Sequence, residues 1–238
     1  MMANFITKNI PNTITCCNLI SGAIATYFAF LGLYEKAFLF IVVGAVFDFF
    51  DGMSARLLGV SSPIGKELDS LADVITFGLA PSAMLYSVLW SMCKVPVWGG
   101  LAHIVPFVAF IMAAFSALRL AKFNLDERQT TSFIGLPTPA NALFWASLIV
   151  GMEHSLVQSV PMVLGVVVLM LLMSYMLVSE VPMFALKFKH WGWKGNEVKY
   201  IFVVSCVPLI AFLRVSGFAA IVAWYVLLSV FTAKKDKC

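Results

Sequence analysis

The sequence predicts an all-α protein, a polytopic transmembrane helical bundle of about eight spans with both termini cytoplasmic. Hydrophobic residues make up 61% of the 238 residues and charged residues only 12%, whereas a soluble domain carries roughly 25% charged residues. The apolar runs are also continuous, without the polar and apolar alternation that membrane β-strands need. We therefore expect a single integral membrane domain over residues 1–238.

Eight apolar stretches approach or exceed the roughly 20 residues that a helix needs to cross a bilayer. They cover residues 14–34, 37–57, 68–90, 97–118, 139–152, 158–179, 198–213 and 216–232. The fifth, seventh and eighth stretches are short. The third begins with two aspartates, so we expect its first turns to lie in a polar cavity.

Basic residues are distributed unevenly between the connecting segments. If eight helices cross the membrane, thirteen Lys and Arg residues lie on the side of the termini and three on the other. Cytoplasmic loops carry an excess of Lys and Arg, so both termini and the polar ends of spans two and three are expected in the cytoplasm. The net charge of +4 then reflects orientation and anionic lipid headgroups, with no nucleic acid partner. The thirteen are Lys8, Arg56, Lys66, Arg119, Lys122, Arg128, Lys187, Lys189, Lys194, Lys199, Lys234, Lys235 and Lys237, and the three are Lys36, Lys94 and Arg214.

Four aspartates lie close together in this apolar sequence. Asp48 and Asp51 are three residues apart, and Asp69 and Asp73 are four apart, so each pair lies on one face of its helix. The loop between the pairs is short, which makes the two helices antiparallel neighbours and brings the four carboxylates together. Ionisable groups at membrane depth are costly, so the cluster is predicted to be a functional site.

Divalent cations would relieve the repulsion between these carboxylates. Oxygen ligands favour hard ions such as Mg²⁺, Mn²⁺ or Ca²⁺ over zinc. Two such ions can hold a phosphoryl group and stabilise both the attacking and the leaving oxygen. We therefore predict that all four aspartates are ligands of divalent metal, with Mg²⁺ or Mn²⁺ preferred.

Small and basic residues surround the cluster. Gly52 and Ala55 each lie one helical turn after one of the first two aspartates and would let a bulky ligand approach the backbone. The alternative is that they only permit close helix packing. Arg56 is suited to phosphate oxygens, and Gly65 is expected to let the loop turn before span three.

The complete pattern, D-x2-D-G-x2-A-R-x8-G-x3-D-x3-D, resembles the signature of the CDP-alcohol phosphatidyltransferase family, and all eight specified residues are present. The resemblance implies an integral membrane enzyme that transfers a phosphatidyl or related group from a CDP-linked donor to an alcohol and releases CMP. It also implies that the aspartates hold two metal ions against the CDP diphosphate. By the same resemblance, Asp73 acts as the general base.

Further segments are similar to the membrane-embedded phosphatidylserine synthase branch of this family. This resemblance implies CDP-diacylglycerol as donor, L-serine as acceptor, a homodimer and a prokaryotic cytoplasmic membrane. It extends over about residues 8–145 and is weaker in the additional spans at about 155–235. The segments that carry it are residues 47–58, 65–81, 118–124 and 133–140.

Two further groups of residues flank the motif near the predicted cavity. A Pro-Asn-x-x-Thr stretch such as Pro11 to Thr15 lines the cytidine pocket in the family, which implies nucleotide contacts for Asn12 and Thr15. The alternative is helix capping by Asn12 or Thr13. Lys66 would contact the diphosphate or remain a solvated loop charge.

Arg119 and Asn124, at the end of span four, are the candidate acceptor-binding residues. Arg119 would pair with the carboxylate of serine, and the alternatives are a lipid phosphate or an anchor to the membrane surface. Asn124 follows closely, and a zwitterionic amino acid needs polar partners of both kinds.

Two other functions remain open at this point. The same chemistry with glycerol 3-phosphate or inositol phosphate would call for additional basic residues around the cavity. A divalent-cation transporter would need polar residues that continue across the membrane, whereas spans two and three become apolar away from the cluster.

Overall fold

The computed structural model describes residues 5–60, 62–94, 96–126, 133–155, 158–184, 192–193 and 196–235. Nine α-helices make up most of this described part, which confirms the prediction of an all-α protein. They are α1 Phe5–Phe30, α2 Tyr34–Leu58, α3 Pro63–Asp73, α4 Ala80–Met92, α5 Ile111–Leu125, α6 Thr138–Met152, α7 Val160–Val178, α8 Glu197–Leu213 and α9 Gly217–Lys235.

Within the described ranges, six helical segments are long and apolar enough to cross a membrane, and α6 is a shorter apolar helix. The protein is therefore an integral membrane protein built as a polytopic helical bundle. The six segments are Asn9–Phe30, Tyr34–Leu58, Pro63–Met92, Val105–Leu125, Val160–Val178 and Glu197–Thr232.

The last of these segments contains two helices. A short 3₁₀ turn separates α8 from α9, and Arg214 within it has a φ of 51°. The ring of Phe202 on α8 lies 5.8 Å from the ring of Tyr225 on α9, so the two helices fold back on each other. Counting this segment as two and adding α6 gives the eight predicted helical segments. The number that cross the membrane and the side on which the termini lie stay predictions.

The third segment is the central helix of the bundle. Its apolar window is 67% buried, compared with 11–33% for the other five. A π-helical stretch, Val74–Leu79, joins α3 to α4 without interruption. The segment begins at Pro63, earlier than the predicted residue 68, because Ser62 Oγ accepts the Gly65 N–H and caps the first turn. The first two turns of α3 are therefore helical and not loop.

The fourth segment begins later than predicted, at Val105 instead of residue 97. Residues Pro96–His103 and Val105–Phe110 form 3₁₀ turns, and Gly99 within the first of them has a non-helical backbone with a φ of 47°. Proline and glycine in this stretch disfavour a continuous α-helix, so α5 starts only at Ile111.

One pair of short strands was not predicted. Strand β1, Phe133–Ile134, pairs antiparallel with β2, Pro182–Met183. The next residue, Gly135, has a φ of 76°, and a Cβ there would lie 2.6 Å from the carbonyl oxygen of Leu177, so glycine is required. This pairing holds the start of α6 against the end of α7.

Part of the orientation argument falls on residues that are not described. Those basic residues are Arg128, Lys187, Lys189, Lys194 and Lys237, together with the side chains of Lys8, Lys234 and Lys235. Among the described residues, Lys66 on α3 donates from Nζ to the carbonyl oxygen of Asn124 on α5 at 2.9 Å. The polar ends of α3 and α5 therefore meet at the same end of the bundle.

Close packing joins α1, α2 and the π-helical stretch. A Cβ on Gly22 would lie 2.7 Å from Thr76 Cα, and a Cβ on Gly44 would lie 2.5 Å from Thr76 Cγ2. The Thr76 hydroxyl donates to the carbonyl oxygen of Asn18 at 3.0 Å. Glycine at both positions thus lets α1 approach within reach of Asp73, one turn before Thr76.

We expect Gly22→Ala to destabilise the bundle by about 1–3 kcal/mol, the usual cost of overpacking a well-packed core. The added methyl group meets the backbone of Thr76, which cannot rotate away. Thermal unfolding of the purified protein in detergent measures the effect. Gly165→Ala is the matched control, because nothing lies within 4 Å of its added Cβ. Equal unfolding temperatures for both variants would contradict the packing argument.

Candidate active site

The aspartates of α2 and α3 converge, as the sequence predicted. One carboxylate oxygen from each of Asp48, Asp51 and Asp69 lies within 4.8 Å of the other two. Only a four-residue turn separates the helices, and Gly59 within it has a φ of 62°. This short connection forces α2 and α3 into antiparallel contact.

Asp73 lies at the inner end of the cluster and is 7% exposed. It lies one turn of α3 after Asp69, on the same face of the helix. Asn18 on α1 donates from Nδ2 to Asp73 Oδ1 at 3.2 Å.

The role of Asn18 was not predicted from the sequence. It lies three residues after Thr15, on the same face of α1. This spacing from Thr15 was the sequence signal that Asn18 faces the site, but only the fold shows which carboxylate its amide contacts.

A cavity of about 200 Å³ opens beside the aspartates, between α1, α2 and α3. Eight of the predicted site residues line it, and Pro11, Val60 and Ser62 complete the wall. The eight are Asn12, Thr15, Asp51, Gly52, Ala55, Gly65, Lys66 and Asp69.

The start of α1 contributes polar groups to this cavity. Thr15 donates its hydroxyl to Asp51 Oδ2 at 2.6 Å. Asn12 points its Oδ1 at Gly65, where a Cβ would lie 2.9 Å away. The capping alternative for Asn12 and Thr13 is wrong, because α1 already begins at Phe5 and both residues lie inside the helix.

The small residues of the motif differ in what they do. Gly65 lies in the first turn of α3 and not in the loop, so the expectation that it turns the chain is wrong. Gly59 turns it instead. The missing side chain of Gly65 leaves room for Asn12 and Ser62 Oγ, whereas nothing lies within 4 Å of a Cβ on Gly52. Gly52 therefore opens space in the cavity instead of packing against a neighbouring helix.

The two basic residues of the motif region are placed differently. Lys66 lines the cavity and spans from α3 to the end of α5 through its bond to Asn124. Arg56 is exposed, and its Nε donates to the carbonyl oxygen of Gly52 at 3.0 Å. The guanidinium thus lies along its own helix at the rim of the site.

The two candidate acceptor residues lie on different sides of α5. Asn124 donates from Nδ2 to Ser70 Oγ at 2.7 Å, which ties the end of α5 to α3. Arg119 is 6% exposed, donates from Nε to the carbonyl oxygen of Leu136 at 2.9 Å, and lies over the ring of Phe123, 5.3 Å from its centroid. The guanidinium is therefore buried inside the bundle and does not reach out to the membrane surface.

The carboxylate cluster has the properties of a site for a hard divalent cation. Asp48, Asp51 and Asp69 offer oxygen ligands at mutual distances that one ion can span. Asp69 Oδ1 is buried and has no hydrogen-bond partner among the described residues, which leaves it as a ligand atom. The residues therefore fit a divalent metal.

The family model for CDP-alcohol phosphatidyltransferase matches residues 8–173. This range contains the four aspartates, the cavity, Arg119 and Asn124. The chain belongs to the CDP-alcohol phosphatidyltransferase family.

Several similar proteins of this family carry the name CDP-diacylglycerol–serine O-phosphatidyltransferase. The protein from Bacillus subtilis is 40% identical over 134 residues, which cover 55% of this chain and 69% of that protein. The protein from Helicobacter pylori is 35% identical over 135 residues, 56% of this chain and 54% of that protein. The protein from Methanocaldococcus jannaschii is 31% identical over 202 residues, 84% of this chain and 83% of that protein. The last alignment extends well beyond the motif helices.

We expect Asn18→Leu to lower the turnover of this phosphatidyltransferase about ten- to hundred-fold, the value of a hydrogen bond to a charged group. The substitution keeps the volume of the side chain but removes the donor to Asp73. Turnover per folded molecule, with both substrates saturating, measures the effect. Thr13→Val is the control on α1, because in the described part of the chain the Thr13 hydroxyl bonds within its own helix, to the carbonyl oxygen of Asn9. Unchanged turnover in Asn18→Leu would show that Asp73 does not depend on this contact.

Proposed function

We propose that this protein transfers the phosphatidyl group of CDP-diacylglycerol to L-serine and releases phosphatidylserine and CMP. The observation that carries the proposal is the four-aspartate site of a CDP-alcohol phosphatidyltransferase, in a chain whose relatives are named for serine as acceptor. The buried guanidinium of Arg119, on the helix whose end is bonded to α3, supports a carboxylate-bearing acceptor.

The donor nucleotide binds in the cavity between α1, α2 and α3. Its diphosphate lies over Gly52 and Ala55, where the small side chains leave space, with Lys66 on the wall and Arg56 at the rim. Asn12 and Thr15 at the opposite wall contact the cytidine. Exposed apolar side chains of α2 outside the cavity, such as Leu57 at 78% exposure, leave the diacylglycerol in the surrounding lipid.

Asp48, Asp51, Asp69 and Asp73 would hold two divalent ions, Mg²⁺ or Mn²⁺, in the carboxylate cluster. When bound, they supply the positive charge that neutralises the diphosphate and stabilises the oxygens of the displacement. Without cations the carboxylates would repel the diphosphate.

Asp73 acts as the general base. Its carboxylate accepts the proton of the serine hydroxyl, and the serine oxygen attacks the phosphorus that carries diacylglycerol. The bond from that phosphorus to the oxygen of CMP breaks, and CMP leaves with the electron pair. Asn18 donates to Asp73 Oδ1 at 3.2 Å, which holds the carboxylate in place for this step. A neutral hydroxyl is a weak nucleophile, which makes a positioned base necessary.

The same proposal includes the orientation of the protein in the membrane and its oligomeric state. The active site faces the cytoplasm of a prokaryotic cell, where soluble serine and membrane-bound donor meet, and both termini lie on that side. The excess of basic residues at that end supports this placement. The protein functions as a homodimer in the membrane.

Acceptor choice and metal dependence are tested together. Purified enzyme with CDP-diacylglycerol is expected to release CMP with L-serine, and not with glycerol 3-phosphate or inositol phosphate.

Chelation is expected to abolish this release, and added Mg²⁺ or Mn²⁺ to restore it, because the diphosphate needs cations between itself and the aspartates. CMP release and lipid product are measured by chromatography. Preference for a phosphorylated acceptor would refute serine, and full activity after complete chelation would refute the metal site.

Asp73→Asn is expected to lower turnover by about 10²–10⁴-fold, the usual contribution of a general base, and by more if a metal ligand is also lost. Asp48→Asn and Asp51→Asn are expected to weaken metal and donor binding first. Glu67→Gln is the matched control, because this carboxylate lies on α3 but does not line the cavity. Near-normal turnover of Asp73→Asn would exclude Asp73 as the base.

A further inference from the structure

The hairpin of α8 and α9 lies beyond the range that the family model matches, which ends at residue 173. It nevertheless contacts a segment that leads back to the candidate active site, because α9 packs against strand β2. Tyr225 on α9 donates its hydroxyl to the carbonyl oxygen of Phe184 at 3.0 Å, and Phe184 directly follows β2. The hairpin therefore holds one end of this strand.

Three aromatic rings keep this contact in place. The ring of Phe184 lies 4.8 Å from that of Tyr225 on α9 and 5.6 Å from that of Phe202 on α8. The rings of Tyr225 and Phe202 are 5.8 Å apart. All three distances fall within the range of favourable ring pairs. The Tyr225 hydroxyl thus belongs to a packed cluster that joins both helices of the hairpin to the end of β2.

The strand pair transmits this position to Leu136. Beyond the β1–β2 pairing, the Gly135 N–H donates to the carbonyl oxygen of Val181 at 3.0 Å, and the Leu136 N–H donates to that of Met176 at 2.9 Å. Each strand is only two residues long, and an isolated pair of strands is marginally stable at best. Support from Tyr225 at the end of β2 therefore matters for the position of Leu136.

Leu136 in turn orients a buried cation. Its carbonyl oxygen accepts from Arg119 Nε at 2.9 Å, and Arg119 is 6% exposed. A cleft of about 50 Å³ beside Arg119 is also lined by Ile134 of β1 and by Ser179 and Glu180, which precede β2. The strand segment therefore supplies both the acceptor of the Arg119 bond and part of the wall around the guanidinium.

We propose that Tyr225 is a positioning residue for the acceptor substrate, which acts through β2, β1 and the carbonyl oxygen of Leu136 on the guanidinium of Arg119. This inference rests on the proposed function, in which Arg119 serves a carboxylate-bearing acceptor. The hairpin outside the family motif thus contributes to acceptor binding without contacting the acceptor.

The geometry of guanidinium groups explains why such a support is needed. A guanidinium pairs with a carboxylate through two parallel N–H groups, which requires the two groups to share a plane. The bond from Nε to a fixed carbonyl oxygen sets that plane, because Nε belongs to the same rigid planar group. A strand pair without Tyr225 lets the Leu136 carbonyl oxygen move. The loss concerns the acceptor alone, because the cavity proposed for the donor lies between α1, α2 and α3.

The first measurement uses Tyr225→Phe, which keeps the ring and its two aromatic contacts and removes only the hydroxyl. We expect the KM for L-serine to rise about three- to ten-fold, the value of a neutral hydrogen bond, and the KM for CDP-diacylglycerol to change less than about two-fold. Tyr175→Phe is the matched control, because Tyr175 on α7 is 63% exposed, and both KM values are expected to stay unchanged. Folded enzyme is quantified by size-exclusion chromatography.

A double-mutant cycle distinguishes positioning from general destabilisation. Arg119→Lys keeps the positive charge and removes the Nε donor, so the link from Leu136 to the cation is already lost in this variant. Adding Tyr225→Phe to it is expected to raise the serine KM by less than about two-fold, whereas independent contributions would multiply. Full multiplication of the two effects would overturn the proposed route.

Hydrogen exchange reports on the strand pair without any substrate. The Gly135 and Leu136 amides are hydrogen-bonded and are expected to exchange at least about three-fold faster in Tyr225→Phe, because a lost bond raises the population of the open form. Amides of α2 are the internal control and are expected to exchange equally in both proteins. If Tyr225→Phe does not fold, Phe184→Leu removes the ring partner of Tyr225 and serves for the same measurements.

The outcomes separate this inference from the proposed function. Faster exchange at Leu136 together with a higher serine KM supports the positioning role. Unchanged exchange, or faster exchange with an unchanged serine KM, overturns it and leaves the function standing. A wild-type enzyme that releases CMP only with another acceptor overturns the serine assignment, and the KM for that acceptor then decides the role of Tyr225.

Discussion

Repulsion between four carboxylates inside a bundle of apolar helices is the constraint on which the rest of the structure depends. The chain forces α2 against α3 with a four-residue turn and then supplies polar partners from α1. Thr15 bonds to Asp51 and Asn18 bonds to Asp73. These bonds require α1 to approach closely, which the glycines at positions 22 and 44 permit. The close packing of the first three helical segments is therefore also what brings the polar side chains of α1 to the aspartates.

The π-helical stretch after Asp73 separates two parts of the central helix that face different surroundings. α3 carries the carboxylates and exposes Ile64 and Leu71, whereas every residue of α4 from Ala80 to Leu85 is buried. A wider turn changes which side chains follow one another on a helix face, and such turns occur frequently at functional sites. Here it directs Thr76 between α1 and α2 while Asp73 stays with the other aspartates.

In the proposed mechanism, Asp73 lies between the two substrates. The cavity proposed for the donor adjoins Asp51 and Asp69, and the buried Arg119 on α5 is the candidate for the acceptor side. The positions of Gly135 and β1 fix Leu136, whose carbonyl oxygen accepts the bond from Arg119. The unpredicted strand pair thus positions the carbonyl oxygen that accepts from Arg119, although it lies far from the motif in the sequence.

The sequence by itself determined the helical class, the membrane location and the convergence of the four aspartates. Hydropathy and residue spacing are local properties, and a short loop leaves α2 and α3 only one way to pair. Only the tertiary structure decided that Asn18 contacts Asp73, that Gly59 and not Gly65 turns the chain, and that Arg119 is buried. These features depend on contacts between residues far apart in the chain, and helix periodicity does not specify which faces of distant helices meet.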